Sequence, residues 1–321
     1  MKGTINIRVR NKRVDYKLTL RRNITFVQGD SGTGKTTLFE MVSEYARLGS
    51  ASGVQLTCKK KCVPLTDFDW LNQLANTHDS IVFIDEGCAF AQKKEFAEVV
   101  NHSDNYFIFF MREPLHQLSY SINEIYAMKV SGKLHTLTPL YKARRNFTYG
   151  APSSRGKTFT LLMTEDSNAG FEFYKKRFEG TEIRCVSAGS KSKIHELLSS
   201  SEGTVFVIAD GAAFGDEANR VFALQEQNSD KITICLPESF EWLLLKSGLI
   251  KSDGLQEILN NPSDHIESSE FPSWERYFTH LLIEMSQNGP FVYQKGKLNE
   301  AYAIPANADK VMKLITNGNV R

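Results

Sequence analysis

Nine consecutive residues near the start of the chain, Gly29-Asp30-Ser31-Gly32-Thr33-Gly34-Lys35-Thr36-Thr37, have the types and spacing to hold a polyphosphate. Glycines let backbone amides turn inward with no side chain in the way, and a helix starting at the end of the loop adds its positive pole to the same place. Lys35 is positioned to reach the outer phosphates, and the Thr36 hydroxyl to help hold Mg²⁺. Each hydrogen bond to a charged group is worth about 1.5–3 kcal/mol, so several together make a nucleoside triphosphate, ATP with Mg²⁺, the natural occupant.

Hydrolysis needs a second group of residues. Ile81-Val82-Phe83-Ile84 is an apolar strand that ends in Asp85 and Glu86. Carboxylates at the carboxyl end of a buried parallel strand face the crevice where ligands of open sheets gather. Asp85 would then orient magnesium and its water, and Glu86 would polarise an attacking water. Arg112 follows the next apolar strand, 106–111, and is expected at the same edge, able to sense or stabilise phosphate charge.

Two more strand ends carry acids, Thr164-Glu165-Asp166 and Ala209-Asp210-Gly211. Glu165 and Asp210 can converge there on Mg²⁺. Basic clusters at 59–61, 144–145, 175–177 and 191–193 could touch phosphates, but they read first as solvated faces. Trp242, Trp274, Tyr277 and Phe278 read as core rather than stacking platforms. Cys58 and Cys62, three lysines apart, resemble half a metal site; no partner pair with zinc-ligand spacing follows, and the five cysteines read as reduced thiols of a cytoplasmic protein.

The elements that must position these residues can be read from periodicity. Residues 5–9 and 14–20 alternate as an opening hairpin, and 24–28 is a buried strand running into the glycine loop. A helix over 36–48 follows, then strands near 54–58, 81–84 and 106–111 with helices near 68–76 and 93–100. The best linker is Gly150-Ala151-Pro152-Ser153-Ser154-Arg155-Gly156-Lys157. Beyond it come strands at 159–163, 182–186, 205–209 and 232–236, helices at 170–178, 194–199 and 217–227, and a helical tail whose clearest amphipathic stretch is 274–285. The expected architecture is α/β, a parallel-sheet nucleotide-binding domain over 1–149, a linker over 150–157, and a smaller α/β domain with a helical C-terminal part over 158–321. At 321 residues and 41% apolar content the chain can fill two cores. A net charge of +2 provides no global field toward a nucleic acid or a membrane, and no signal peptide or spanning segment is expected.

At the glycine loop and the acid-tipped strand the chain resembles the additional-strand class of P-loop ATPases, to which AAA-type, RecA-like and ABC ATPases belong. That resemblance covers about residues 5–149 and implies hydrolysis, with Asp85 and Glu86 at the acidic positions and Arg112 at the sensor position. An LSGGQ-like signature, a coiled-coil insertion and a helical lid are absent from the sequence. Residues 158–245 look like a TOPRIM domain, in which Glu165 and Asp210 match metal-binding acids. The family pattern asks for a second aspartate where this chain has Ala212, with Asp216, Glu217, Glu238 and Glu241 as the acids nearby. An ATPase domain joined to a TOPRIM domain is similar in plan to OLD-type proteins, which implies a role in defence against phages and mobile elements. The alternative is a nucleotide-gated regulatory or interaction module without nuclease activity. A nucleic acid, a protein and further copies of the chain remain open as partners.

Overall fold

The computed structural model describes residues 1–29, 32–141 and 159–316, so Asp30, Ser31, the expected linker and Arg144-Arg145 lie outside the described residues. The chain divides into two compact units, one before and one after residue 142, except that Asn261–Ser273 belongs to the first.

The first unit is built on a nine-stranded sheet. Strands β1 (Ile5–Arg10) and β2 (Asp15–Leu20) form the expected antiparallel hairpin, in register from Ile5↔Leu20 to Arg10↔Asp15. Next come β3 (Ile24–Gln28), helix α1 (Lys35–Leu48), β4 (Gln55–Cys58), β5 (Lys61–Leu65), α2 (Trp70–Ala75), β6 (Ser80–Ile84), α3 (Lys94–Asn101), β7 (Tyr106–Phe110), β8 (Ile125–Ser131) and β9 (Leu134–Pro139). Their order across the sheet is β4-β1-β2-β9-β8-β3-β7-β6-β5, and the run β8-β3-β7-β6-β5 is parallel throughout. Every residue of β3, β6 and β7 is buried, as continuous apolar runs covered on both faces should be. Alternate side chains face opposite layers. Val27, Ile81, Phe83, Ile108 and Phe110 pack with Leu38, Met41 and Val42 of α1, whereas Phe26 stacks on Phe109 (4.8 Å) and Tyr120 (3.9 Å).

Strands β4 and β5 are the two edges of this sheet, yet only Lys59 and Lys60 separate them in sequence. Three Cα steps span at most about 11 Å, so the sheet must curl until its edges meet. Helix α1 lies inside the curl, against β1, β4, β5 and β6.

Residues 261–273 correct the expected boundary of the second domain. They pack on the first unit, where Gly3 N–H donates to the Ser263 carbonyl (2.7 Å), the Ser268 hydroxyl to the Met1 carbonyl (2.8 Å), and the Asn23 amide to the Pro272 carbonyl (3.3 Å).

The second unit alternates strand and helix: β10 (Leu161–Thr164), α4 (Ala169–Arg177), β11 (Arg184–Ser187), α5 (Lys191–Ser200), β12 (Val205–Ile208), α6 (Ala218–Gln227) and β13 (Ile232–Cys235). Its sheet is parallel, ordered β11-β10-β12-β13. Helices α7 (Phe240–Lys246), α8 (Leu255–Asn260), α9 (Trp274–Ser286), α10 (Glu300–Ala303) and α11 (Pro305–Thr316) follow, and α7 and α9 pack on each other. Trp242 and Phe278 are buried in the core of this unit, with Trp274 and Tyr277 packed against it. Among the described residues no helix is long and apolar enough to cross a membrane.

Candidate functional site

Strand register brings the residues of the first unit to one edge. Phe109 of β7 pairs with Phe26 of β3 on one side and with Ile84 of β6 on the other. Gly29, Asp85 and Arg112 therefore leave the sheet at the same carboxyl end, and β7 holds the other two strands about 10 Å apart.

Gly29 (φ 132°), Gly32 (φ 84°) and Gly34 (φ 92°) hold conformations that L side chains resist. Gly34 caps α1 in the left-handed region, with no side-chain cap and no acid in the first turn, which leaves the positive pole of the helix facing the loop. Lys35 is only 7% exposed, and its ammonium donates to the Gly29 carbonyl (2.5 Å) and the Thr33 hydroxyl (3.2 Å). Thr36 and Thr37 are exposed.

Tyr16 and His135, which come from β2 and β9, back the loop from behind. The Tyr16 hydroxyl donates to the Gly34 carbonyl (2.9 Å), and its ring lies 4.6 Å from the His135 imidazole. Burial raises the Tyr16 phenol above its ordinary value, with the Thr37 hydroxyl opposing. Neither residue was singled out in the sequence, where nothing separates them from ordinary strand residues.

Asp85 is half-buried just past β6, and Glu86 is exposed beside it. Arg112 Nε meets Glu86 Oε1 at 2.8 Å, so the residue expected to sense phosphate charge holds the residue expected to polarise water. With both side chains exposed, this pair orients more than it stabilises. Uncapped amides, left-handed glycines and a nearly buried lysine at the helix head fit a triphosphate, and Thr36 with Asp85 offers Mg²⁺ the oxygen ligands it takes.

In the second unit the chain runs from β10 out to β11 and returns to β12, so Glu165 and Asp210 flank the point where strand order reverses. Thr164 pairs with Ile208, and the Asp210 N–H donates to Glu165 Oε2 at 3.3 Å. The two acids line a cavity of about 40 Å³ with Asp166, Glu241, Tyr293 and Lys295. Burial pushes Glu165 up to about 7, Asp166 and Glu275 adding to the shift while the Asp210 amide and Lys191 oppose it. Asp210 is raised well above the ordinary range by burial and then by the carboxylates of Glu275, Glu241, Glu165 and Asp166. Carboxylates held where their charge is penalised fit a divalent cation, which would relieve both burial and mutual repulsion.

Lys295 pairs with Glu275 at 2.7 Å; burial lowers its pKa, but that carboxylate more than offsets it and the net direction is upward. Tyr293 donates its hydroxyl to Glu241 Oε1 at 2.7 Å.

Where the TOPRIM pattern asks for a second aspartate, Ala212 is buried, and its N–H donates to the Glu238 carbonyl (3.1 Å). Of the nearby acids, Asp216 is held by Lys191 (2.7 Å), Glu217 pairs with Arg220, and Glu238 is buried. Glu241 alone of the four shares the cavity with Asp210. It stands in the first turn of α7, where the Ser239 hydroxyl accepts from the Trp242 N–H. Glu275, Tyr293 and Lys295 were not anticipated, because they arrive from segments more than sixty residues beyond Asp210. No family model matches the chain, and neither a curated protein nor a solved structure does.

Proposed function

We propose that the first unit binds ATP with Mg²⁺ at Gly29–Thr37 and hydrolyses it, in the manner of additional-strand P-loop ATPases, and that turnover serves a TOPRIM-like second unit acting on nucleic acid. One observation carries the reading: a lysine almost withdrawn from water, at the head of an uncapped helix, closing a left-handed glycine turn. A purely structural turn gains nothing from burying an ammonium there, whereas a polyphosphate would be met by that charge and by the backbone amides together. The strand order supports it, since β7 lies between the loop-bearing β3 and the acid-tipped β6.

Lys35 and the loop amides hold the phosphates, and Thr36 with Asp85 would hold Mg²⁺, which supplies charge neutralisation for the phosphate oxygens. Glu86, oriented by Arg112, polarises water. In the second unit Glu165 and Asp210, joined by Glu241, would hold a divalent cation for phosphodiester chemistry. The defence role against phages and mobile elements follows from the likeness in plan to OLD-type proteins.

Retention of labelled ATP with Mg²⁺ tests the first part. Lys35→Ala should lose binding, and Glu86→Gln should bind but not turn over; binding unchanged in Lys35→Ala removes the reading. Cleavage of plasmid or single-stranded DNA with Mn²⁺, abolished by Glu165→Ala and by Asp210→Ala, tests the second. Ala212 favours the alternative of a nucleotide-gated module without nuclease activity, for which ATP binding would persist with no cleavage under any metal.

A further inference from the structure

Outside both sites, two cysteines come together at a tight turn. Strand β4 ends on Cys58, β5 takes up Cys62 as its second residue, and the turn between them folds the backbone of one residue, Lys60, against both sulfurs. The Lys60 N–H donates to Cys58 Sγ (3.4 Å), and the Cys62 thiol lies 3.9 Å from the Lys60 carbonyl. Both sulfurs are thus held against the same residue, on either side of a turn of two residues. The Lys60 ammonium is anchored beside them by Asp79 Oδ1 at 2.6 Å. Cys58 is half-buried and reachable from solvent, Cys62 is buried, and both pack with Leu38, Met41 and Val42 of α1.

We propose that Cys58 and Cys62 form a peroxide-reactive dithiol that closes reversibly into a disulfide. The Cys58 thiolate attacks one peroxide oxygen; the O–O bond breaks, and the departing hydroxide takes a proton to become water. Cys58 is then a sulfenic acid, its sulfur oxidised by two electrons. Cys62 attacks that sulfur, the S–O bond breaks, and the hydroxide leaves with the Cys62 proton as a second water. A thiol reductant reverses the sequence by exchange. Chemistry distinguishes Cys58 from the other four thiols, Cys62 being raised by its proximity to Cys58 and by burial. The Cys62 donor holds the Cys58 thiol well below its ordinary range against the opposing effect of burial, helped by the Lys60 and Lys59 amides and the Lys60 ammonium. Burial alone is the chief influence on Cys88, Cys185 and Cys235, pushing them up to about 11, 11 and 12. Because β4 and β5 are the two edges of the curled sheet, the disulfide would lock its seam.

The test treats the full chain with one equivalent of hydrogen peroxide, blocks remaining thiols by alkylation, and maps peptides without reduction. Trypsin cuts among Lys59, Lys60 and Lys61, so a cross-link appears as two joined peptides lacking two hydrogens; a further cut before Asp67 separates Cys62 from Cys88. A Cys58–Cys62 link cleared by dithiothreitol is expected. Before oxidation, Cys58 should alkylate about tenfold faster than the other thiols at neutral pH. In Cys62→Ser the oxidation should stop at a sulfenic acid on Cys58, trapped by dimedone. Linkage through Cys88, Cys62 still alkylated after Cys58 is oxidised, or equal labelling of all five thiols in the untreated chain would each overturn the proposal. None of these readouts depends on nucleotide binding.

Discussion

Replacing Gly34 with alanine tests the glycine loop through two separable effects. The first is backbone strain: Gly34 sits at φ 92°, where an L side chain costs about 1–2 kcal/mol. The second is contact. A methyl group at Gly34 would lie 2.7 Å from the Tyr16 hydroxyl and 3.3 Å from the His135 ring. Tyr16 is fully buried, so its hydroxyl has little room to retreat, and displacing it breaks the bond to the Gly34 carbonyl. That loss adds about 1–2 kcal/mol, for a combined penalty of about 3 kcal/mol. Gly32→Ala supplies the control, since Gly32 is also left-handed (φ 84°) but has nothing within 4 Å of an added methyl. Urea unfolding and ATP titration should be run on both variants. If the fold yields, the midpoint falls; if the loop yields instead, affinity falls by about a hundredfold. Gly32→Ala should show only the strain component. Equal behaviour of the two variants, or a Gly34→Ala protein like the wild type in both assays, would refute the argument that Tyr16 and His135 brace the loop.

Further outcomes are expected in the second unit. Gly211→Ala places a methyl 2.7 Å from the Leu236 carbonyl and 2.8 Å from that of Pro237, neither of which can swing aside, so thermal unfolding should show a loss of about 1–3 kcal/mol; an unchanged transition would deny the close approach. With chelator present, Glu165 should make stability fall as pH rises from 4.5 to about 7, because over that window the folded chain keeps a proton that the unfolded chain releases. Glu165's share of the fall should reach at most about 3 kcal/mol and be missing from Glu165→Gln, whose remaining fall comes from the raised Asp210, and the whole should shrink on adding Mn²⁺; a wild-type fall no steeper than that of Glu165→Gln contradicts the raised Glu165 carboxyl.

Elements whose physics is local are legible in the sequence. Strand β3 runs Ile24–Gln28, matching its apolar run, and the glycines after it announce the turn before α1. Strand β5 escaped because Lys61 and Pro64 interrupt its apolar character, both of which an edge strand tolerates and a central one does not. Strands β8 and β9 carry a hairpin signal in the Ser131-Gly132-Lys133 turn (Gly132 φ 59°). In the first unit the acids and Arg112 were legible because they follow strands that register with one another. Glu241, Tyr293 and Lys295 gather around Asp210 only through folding of the helical tail, and sequence spacing carries no trace of such a meeting. The return of residues 261–273 was invisible for the same reason, as its partners Met1, Gly3 and Asn23 lie at the opposite end of the chain.

That return has a genetic corollary. A stop codon after residue 260 would leave the amino-terminal body without the strip that covers its first residues, although every one of its strands and α-helices would still be encoded. Deletions designed from the nominal boundary near residue 150 would then report misfolding as if it were lost activity. Recombination that exchanged one body for a homologue's would have to move two separate pieces of gene together, which ties the inheritance of the two halves.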